Sequence, residues 1–410
     1  MKPAPAVVVP ADRPAALGIA RSLGPRGIPV YGVDADASAM GMVSRYVSPC
    51  PLPKGDVSDK NRFQALLDLG QRLGQRSALF PISDDAVLLC SRHRAELQEY
   101  YACVMPDHET VTGLLTKDGL HEIAQEHDIP APRMFQVANY AEAKGIAEQL
   151  PYPVIIKPVF SPSWLKPEIN AMLRTSPLRG APKVALCENA GELLETYQAI
   201  AVHDPRMVFE EIIPGEDQRL VYFCFYLDRN SEPLATFAGE KLRILPVGFG
   251  SASFVRSFYD PALEEISLRL LTRTRYQGLG GVEFKRDSRD ERYKLIEFNA
   301  RMGLWDSLSM RCGIDIPYIA YCDALEQPPD AQHQYRTGVL WVDFQRDLRA
   351  FLVYRGRGQL TFTRWVRSLM GEKDWAVFSL RDWKPAVKAW AEQVRLVREL
   401  IGTRLGRAGS

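Results

Sequence analysis

The 410-residue chain is 46% apolar and 25% charged, ordinary values for a soluble globular protein of roughly two to four domains. With 51 Lys and Arg against 50 Asp and Glu, the net charge of +1 gives no electrostatic basis for DNA, RNA or an anionic membrane as the main partner. No run approaches the roughly 20 apolar residues of a membrane span, and the opening MKPAPAVVVPADRP is too short and too interrupted by proline for a secretory signal.

In chain order, AVVV (6–9), PVYGVD (29–34), ALFPIS (78–83) and CVMP (103–106) predict strands that alternate with helices at 13–24, 59–74 and 84–99. Strand–helix alternation predicts a parallel sheet covered by helices, an α/β domain over 1–106. No G-x-G-x-x-G follows the first strand, so the dinucleotide fingerprint is excluded. Ser83, Asp84 and Asp85 stand at the carboxyl end of a strand, where such sheets bind ligands; they equally suit the cap of the next helix. From 107 the spacing predicts two helices stopped by Pro130 and Pro132, then the strands RMFQV (133–137), PVIIKP (153–158) and KVALCE (183–188), with helices at 140–150 and 189–200. The stretch 159–182, with four prolines and little periodicity, suits a functional lid.

Residues 206–300 predict mostly antiparallel sheet, interrupted by an amphipathic helix at 261–275 and closed by a hairpin of GVEFKRD and YKLIEFN. Beyond a linker-like stretch at 326–334 comes a mainly helical extension, 329–410, whose last fifty residues carry ten Lys or Arg against five Asp or Glu. That extension suits either an appendage packed on the body or a docking surface. Seven cysteines, odd in number and without a C-x-x-C pair, predict free thiols in a reducing, cytoplasmic setting.

No G-x-x-x-x-G-K-[ST] occurs, so Walker-type phosphate binding is excluded. Three features still point to nucleotide chemistry. Glu297 and Asn299 are two apart on a strand and share a face; the hairpin can set Glu283 opposite them. Two carboxylates and an amide oxygen suit a hard cation such as Mg2+, although alternating polar residues also describe a solvated strand face. Lys157 ends a β-branched strand and needs a counter-charge or solvent; Lys117, before a helix, is a second candidate cation. VFEEIIPGED (208–217) offers an extended backbone for a base edge and a later carboxylate for ribose hydroxyls.

Taken in order, Lys117, YPVIIKP, FEEIIPGED, KLRILP and GVEFKRD…YKLIEFNAR resemble the ATP-grasp superfamily over about 107–328, with subdomains of about 107–210 and 211–328 clasping ATP in an α+β fold. The resemblance is nearest to the carboxylate–amine ligase branch that includes D-aspartate ligase-like proteins, and it extends to the preceding α/β domain. It implies that Lys117 and Lys157 hold phosphates, and that Glu210 meets the adenine amino group with backbone near Glu211 and Ile213 on the base edge. It further implies that Asp217 binds ribose and that Glu283, Glu297 and Asn299 coordinate Mg2+, with Mn2+ as a substitute. Arg301 would lie beside the transferred phosphoryl group or the substrate carboxylate, and Arg243 would be a further phosphate contact. In this chain the loop after Lys157 is long, with Gly180 its only glycine, where the superfamily's is short and glycine-rich.

The implied reaction activates a carboxylate as an acyl phosphate that an amine attacks, giving an amide, ADP and phosphate. The implied partners are a small-molecule carboxylate and amine, an amino acid among them; a homodimer is one assembly the chain could form. Two other readings compete: a non-catalytic nucleotide-binding module that docks partners through its C-terminal helices, and a carboxylase using bicarbonate.

Overall fold

The computed structural model describes residues 3–53, 58–160, 184–327 and 329–393, with 163–164, 168–169 and 172–173 between them. The expected lid at 159–182 and the last basic helix, 394–410, therefore lie largely or wholly outside the described residues. Three sheets organise the rest.

The first is a parallel sheet of five strands in the order Val47–Pro51, Val30–Asp34, Ala6–Val9, Ser77–Pro81, Tyr101–Ala102. Its central strand is apolar on both faces because both are covered. Ala6 and Val8 pack with the helix Pro14–Leu23, while Val7 and Val9 pack with the helices Asp59–Leu73 and Asp84–Arg92. The edge strand Val47–Pro51 is not among the sequence-based expectations. It carries Pro49 and Pro51, which an edge tolerates because no neighbour needs their missing N–H. The Ser83 hydroxyl accepts from Ala86 N at 3.2 Å. That cap starts the helix Asp84–Arg92 directly after a strand and leaves Asp84 at the sheet's ligand-binding end.

The second sheet is antiparallel, in the order Met134–Val137, Met207–Glu211, Val154–Pro158, Ala185–Cys187. The helices Tyr140–Ala147 and Ala190–Ala201 cover one face. Each is capped by an asparagine, Asn139 or Asn189, that accepts from a glutamate N–H three residues on. Val154 and Ile156 point into that covered core, so the period of two turns Ile155 and Lys157 the other way.

The third sheet has seven strands: Tyr293–Asn299, Gly278–Arg286, Leu220–Leu227, Pro233–Leu245, Ser251–Ser257, Leu340–Val342 and Lys373–Trp375. The last two come from the region expected to be a helical extension, which thus also lengthens the central sheet. Strand Leu220–Leu227 is buried throughout. Val221, Phe223 and Phe225 pack toward the helix Pro261–Arg273, while Tyr222, Cys224 and Tyr226 share one core with Ala6, Val8 and the helix Pro14–Leu23. The first sheet and the seven-stranded sheet are therefore joined by a common apolar core. Among the described residues no helix is long and apolar enough to cross a membrane.

Candidate active site

A cleft of about 470 Å³ opens between the four-stranded and seven-stranded sheets, and Asp84, after the parallel sheet's strand Ser77–Pro81, reaches its wall. Its floor is one face of the seven-stranded sheet. Tyr222 pairs with Glu283 across one ladder, and Glu283 with Glu297 and Gly281 with Asn299 across the next. A bulge makes the last alignment. Phe284 faces Leu295 but Glu283 faces Glu297, so Ile296 is the extra residue. Pairing continued evenly from Phe284 and Leu295 would set Glu297 opposite Val282, away from Glu283; the bulge re-aims it. Glu283, Glu297 and Asn299 all line the cleft.

Three of the cleft carboxylates meet lysines. Lys117 Nζ is 3.3 Å from Glu297 Oε1, Lys157 Nζ is 2.6 Å from Glu210 Oε1, and Lys241 Nζ pairs with Glu283 Oε2. Lys117, Lys157, Glu210 and Lys241 are buried, a costly placement that only close pairing offsets. Burial pushes the Lys117 ammonium down, but Glu297, Glu210 and Glu283 together outweigh it and hold its pKa above the ordinary lysine value. Arg301 Nε donates to Asp84 Oδ1 at 2.6 Å. Burial lowers its pKa, and Asp84 more than offsets that. Among the described residues no three His, Cys, Asp or Glu side chains form a metal cluster; the cation donor set offered here is two carboxylates and the Asn299 amide oxygen.

Ile155, Val184, Ile213 and Leu220 supply an apolar slot beside Lys157 and Glu210. Glu211 also lines it, and its carboxylate takes Arg289 Nη1 at 2.5 Å and Arg133 N at 3.2 Å.

Two expected contacts lie elsewhere. Arg243 does not line the cleft: its guanidinium makes a two-point pair with Asp347, at 2.7 and 2.8 Å, and lies 4.0 Å over the Phe254 ring. The cause is a register irregularity between Lys241 and Arg243, which breaks the alternation that would set both on one face. The phosphate contact expected of Arg243 is thus replaced by a buried structural pair. Asp217 is also not among the residues that line the cleft. Its Oδ2 accepts from Tyr354 Oη at 2.6 Å and from Gly248 N at 3.2 Å, which anchors the cleft-lining loop 246–251.

Among the cleft residues that sequence reasoning missed, three stand out. Lys241 stands in the same KLRILP motif as Arg243. Arg346, on the helix Phe344–Gly356, donates to Leu245 O at 2.8 Å. Tyr222 lies in a strand whose apolar run gave no sign of a polar role. Alternation from Glu283 would have found Lys241; nothing local signals Arg346, which enters from the C-terminal region.

No protein-family model matches the chain. Over 290 residues it is 25% identical to the D-aspartate ligase of Enterococcus faecium, an alignment covering 67% of this chain and 66% of that protein, just under two thirds of its length. In fold it is similar to the ADP complex of purK, N5-carboxyaminoimidazole ribonucleotide synthetase, with a TM-score of 0.64 at 10% identity over 87% of this chain and 86% of that one. It is similar too to the L-amino acid ligase of Bacillus licheniformis, with a TM-score of 0.59 at 16% identity over 80% of this chain and 75% of that one. The chain therefore has the ATP-grasp fold, and its likeness in sequence runs to a D-aspartate ligase.

Proposed function

We propose that the protein is an ATP-dependent carboxylate–amine ligase. The observation that carries this reading is the convergence on one cleft of Glu283, Glu297 and Asn299 with Lys117, Lys157 and Lys241, and of Arg301 at its far wall. Lysines and carboxylates neutralise one another in the free protein. A polyphosphate can take over the ammonium groups while a hard cation takes the carboxylates, so binding exchanges one set of charge pairs for another. The donor set of two carboxylates and an amide oxygen fits Mg2+, with Mn2+ as a substitute. When bound, the cation would offset the charge of the phosphate oxygens during transfer.

The chain's own residues then have separate tasks. Lys117 and Lys157 hold phosphate oxygens, and Ile155, Val184, Ile213 and Leu220 sandwich the base near Glu210. Glu211 and Ile213 lie beside the base edge. Arg301, held by Asp84, faces the acid to be activated. A carboxylate oxygen of the substrate attacks the γ-phosphorus, ADP leaves, and an acyl phosphate forms. The amine nitrogen then bonds to the carbonyl carbon, the bond to the phosphoryl oxygen breaks, phosphate leaves with the electron pair, and one amine proton is released. Fixed cations and proximity supply most of the acceleration.

D-aspartate is the first carboxylate to test, on the strength of the likeness to a D-aspartate ligase. The reading places the enzyme in the cytoplasm, with small-molecule substrates and no nucleic acid. The division at about 106 and 328 belongs to the same proposal. A screen of carboxylates and amines for ADP release checks it. Release that needs Mg2+, a carboxylate and an amine together supports it, and release driven by bicarbonate alone would favour a carboxylase.

A further inference from the structure

The Tyr222 hydroxyl is a polar group of the cleft wall that the reaction outlined above does not use. The residue is 4% exposed, lines the cleft, and its Oη has no hydrogen-bond partner among the described residues. A buried hydroxyl without a partner is costly and calls for an explanation. Its surroundings are built to hold it there. The ring packs edge-on against Trp305 at 5.3 Å. A Cβ on Gly281 would come within 2.1 Å of Oη and one on Gly303 within 3.1 Å, so position 281 leaves room for the hydroxyl only as glycine and position 303 is tight. The strand register sets Tyr222 beside Glu283. Arg301 lies close enough to interact electrostatically with the phenol, and an ordinary phenol is neutral at physiological pH, so its hydroxyl can donate. Arg301 donates through Nε to Asp84, and its two terminal nitrogens make no hydrogen bond among the described residues.

We propose that Tyr222 donates a hydrogen bond to the carboxylate that becomes phosphorylated, so that this acid group is held between the tyrosine hydroxyl and the Arg301 guanidinium. The ligand class is a carboxylate, and the inference rests on the ligase reading above. One oxygen of that carboxylate attacks the γ-phosphorus. The other becomes the carbonyl oxygen of the acyl phosphate, gains negative charge as the amine adds, and loses it as phosphate leaves. A fixed neutral donor aimed at that oxygen favours the charged state without attracting the nucleotide's phosphates, a preorganised arrangement of the oxyanion-hole kind.

The test compares wild type, Tyr222→Phe and the exposed control Tyr259→Phe, using D-aspartate, or whichever carboxylate the screen finds, at saturating MgATP and amine. Tyr222→Phe keeps the ring against Trp305 and removes only the hydroxyl. The expected result is a fall of at least about tenfold in kcat/KM for the carboxylate, with KM for ATP within about twofold of wild type and an unchanged or raised melting temperature, since an unpartnered buried hydroxyl has been removed. A Tyr222→Phe enzyme with wild-type carboxylate kinetics overturns the proposal, as does a lowered melting temperature with unchanged kinetics, which would mark a structural hydrogen bond. Failure of wild type to turn over ATP with any carboxylate would instead overturn the ligase reading itself.

Discussion

Two charge clusters two residues apart on one strand behave in opposite ways. At Lys241 the strand Pro233–Leu245 turns an ammonium to the cleft, where it forms a single-point pair with Glu283. At Arg243 the same strand turns a guanidinium to a dry interface, where Asp347 takes two of its nitrogens and also accepts from Ser253 Oγ at 3.1 Å and Trp365 Nε1 at 2.8 Å. The first pair is one of three lysine–carboxylate pairs around a cavity and can exchange partners when charged ligands arrive. The second is fully hydrogen-bonded and ties the C-terminal helices Phe344–Gly356 and Phe362–Ser368 to the central sheet. Lysine suits the first role because it is a compact point charge, and arginine the second because its planar fork matches a carboxylate. Charge near an active site is thus no guide to its purpose; whether the partner can be given up is.

The largest test of this contrast is on the cleft side. Glu297→Gln keeps the size and removes the charge, so ADP formation should fall by at least about a thousandfold, while the loss in urea stability should stay smaller than on the dry side because Glu210 and Glu283 still act on Lys117. A variant that turns over normally would remove Glu297 from the machinery. On the dry side the signs reverse. Asp347→Ala leaves the Arg243 charge buried without its partner and should lower the unfolding free energy by about 3–5 kcal/mol, read from denaturant curves. KM for ATP in the folded fraction should not change. If Asp347→Ala raised KM for ATP and left stability alone, the two sides would have been assigned the wrong way round.

A smaller effect comes from Asp306, beneath the Tyr222 corner. Burial raises its carboxyl pKa from 3.8 to about 6, although Gly303 N at 2.5 Å and Cys224 Sγ at 3.2 Å donate to it. A raised pKa means that the folded state binds the proton more tightly than the unfolded chain does. The resulting stabilisation is full below about pH 4 and is lost as pH rises through about 6. Asp306→Asn stays neutral, so its stability relative to wild type should improve across that window by up to about 3 kcal/mol and level off above it. A pH-independent difference between the two would show that Asp306 does not titrate there.

Much of the site was legible because strand alternation is a short-range rule. In PVIIKP it sends Ile156 to the core and Lys157 to the cleft, and in YKLIEFN it keeps Glu297 and Asn299 on one face. It failed or succeeded at bulges, which a local pattern does not reveal. The extra residue Ile296 brings Glu297 back opposite Glu283, and the irregularity after Lys241 carries Arg243 away from the cleft. Long-range placement was equally hidden. The C-terminal strands Leu340–Val342 and Lys373–Trp375 take their sheet positions from tertiary pairing, and Asp217 turns toward Tyr354, 137 residues away. Among the α/β elements, the strand that escaped notice was the proline-bearing edge Val47–Pro51, whose composition argues against a strand everywhere except at an edge.

Oxygen transfer from the acid substrate to phosphate tests the central claim most directly. With an oxygen-18-labelled carboxylate, unlabelled MgATP and an amine, the account predicts that the released inorganic phosphate carries one labelled oxygen, because the attacking carboxylate oxygen departs with it. ADP release accompanied by unlabelled phosphate would contradict an acyl phosphate, and with it the assignment of this cleft to carboxylate–amine ligation.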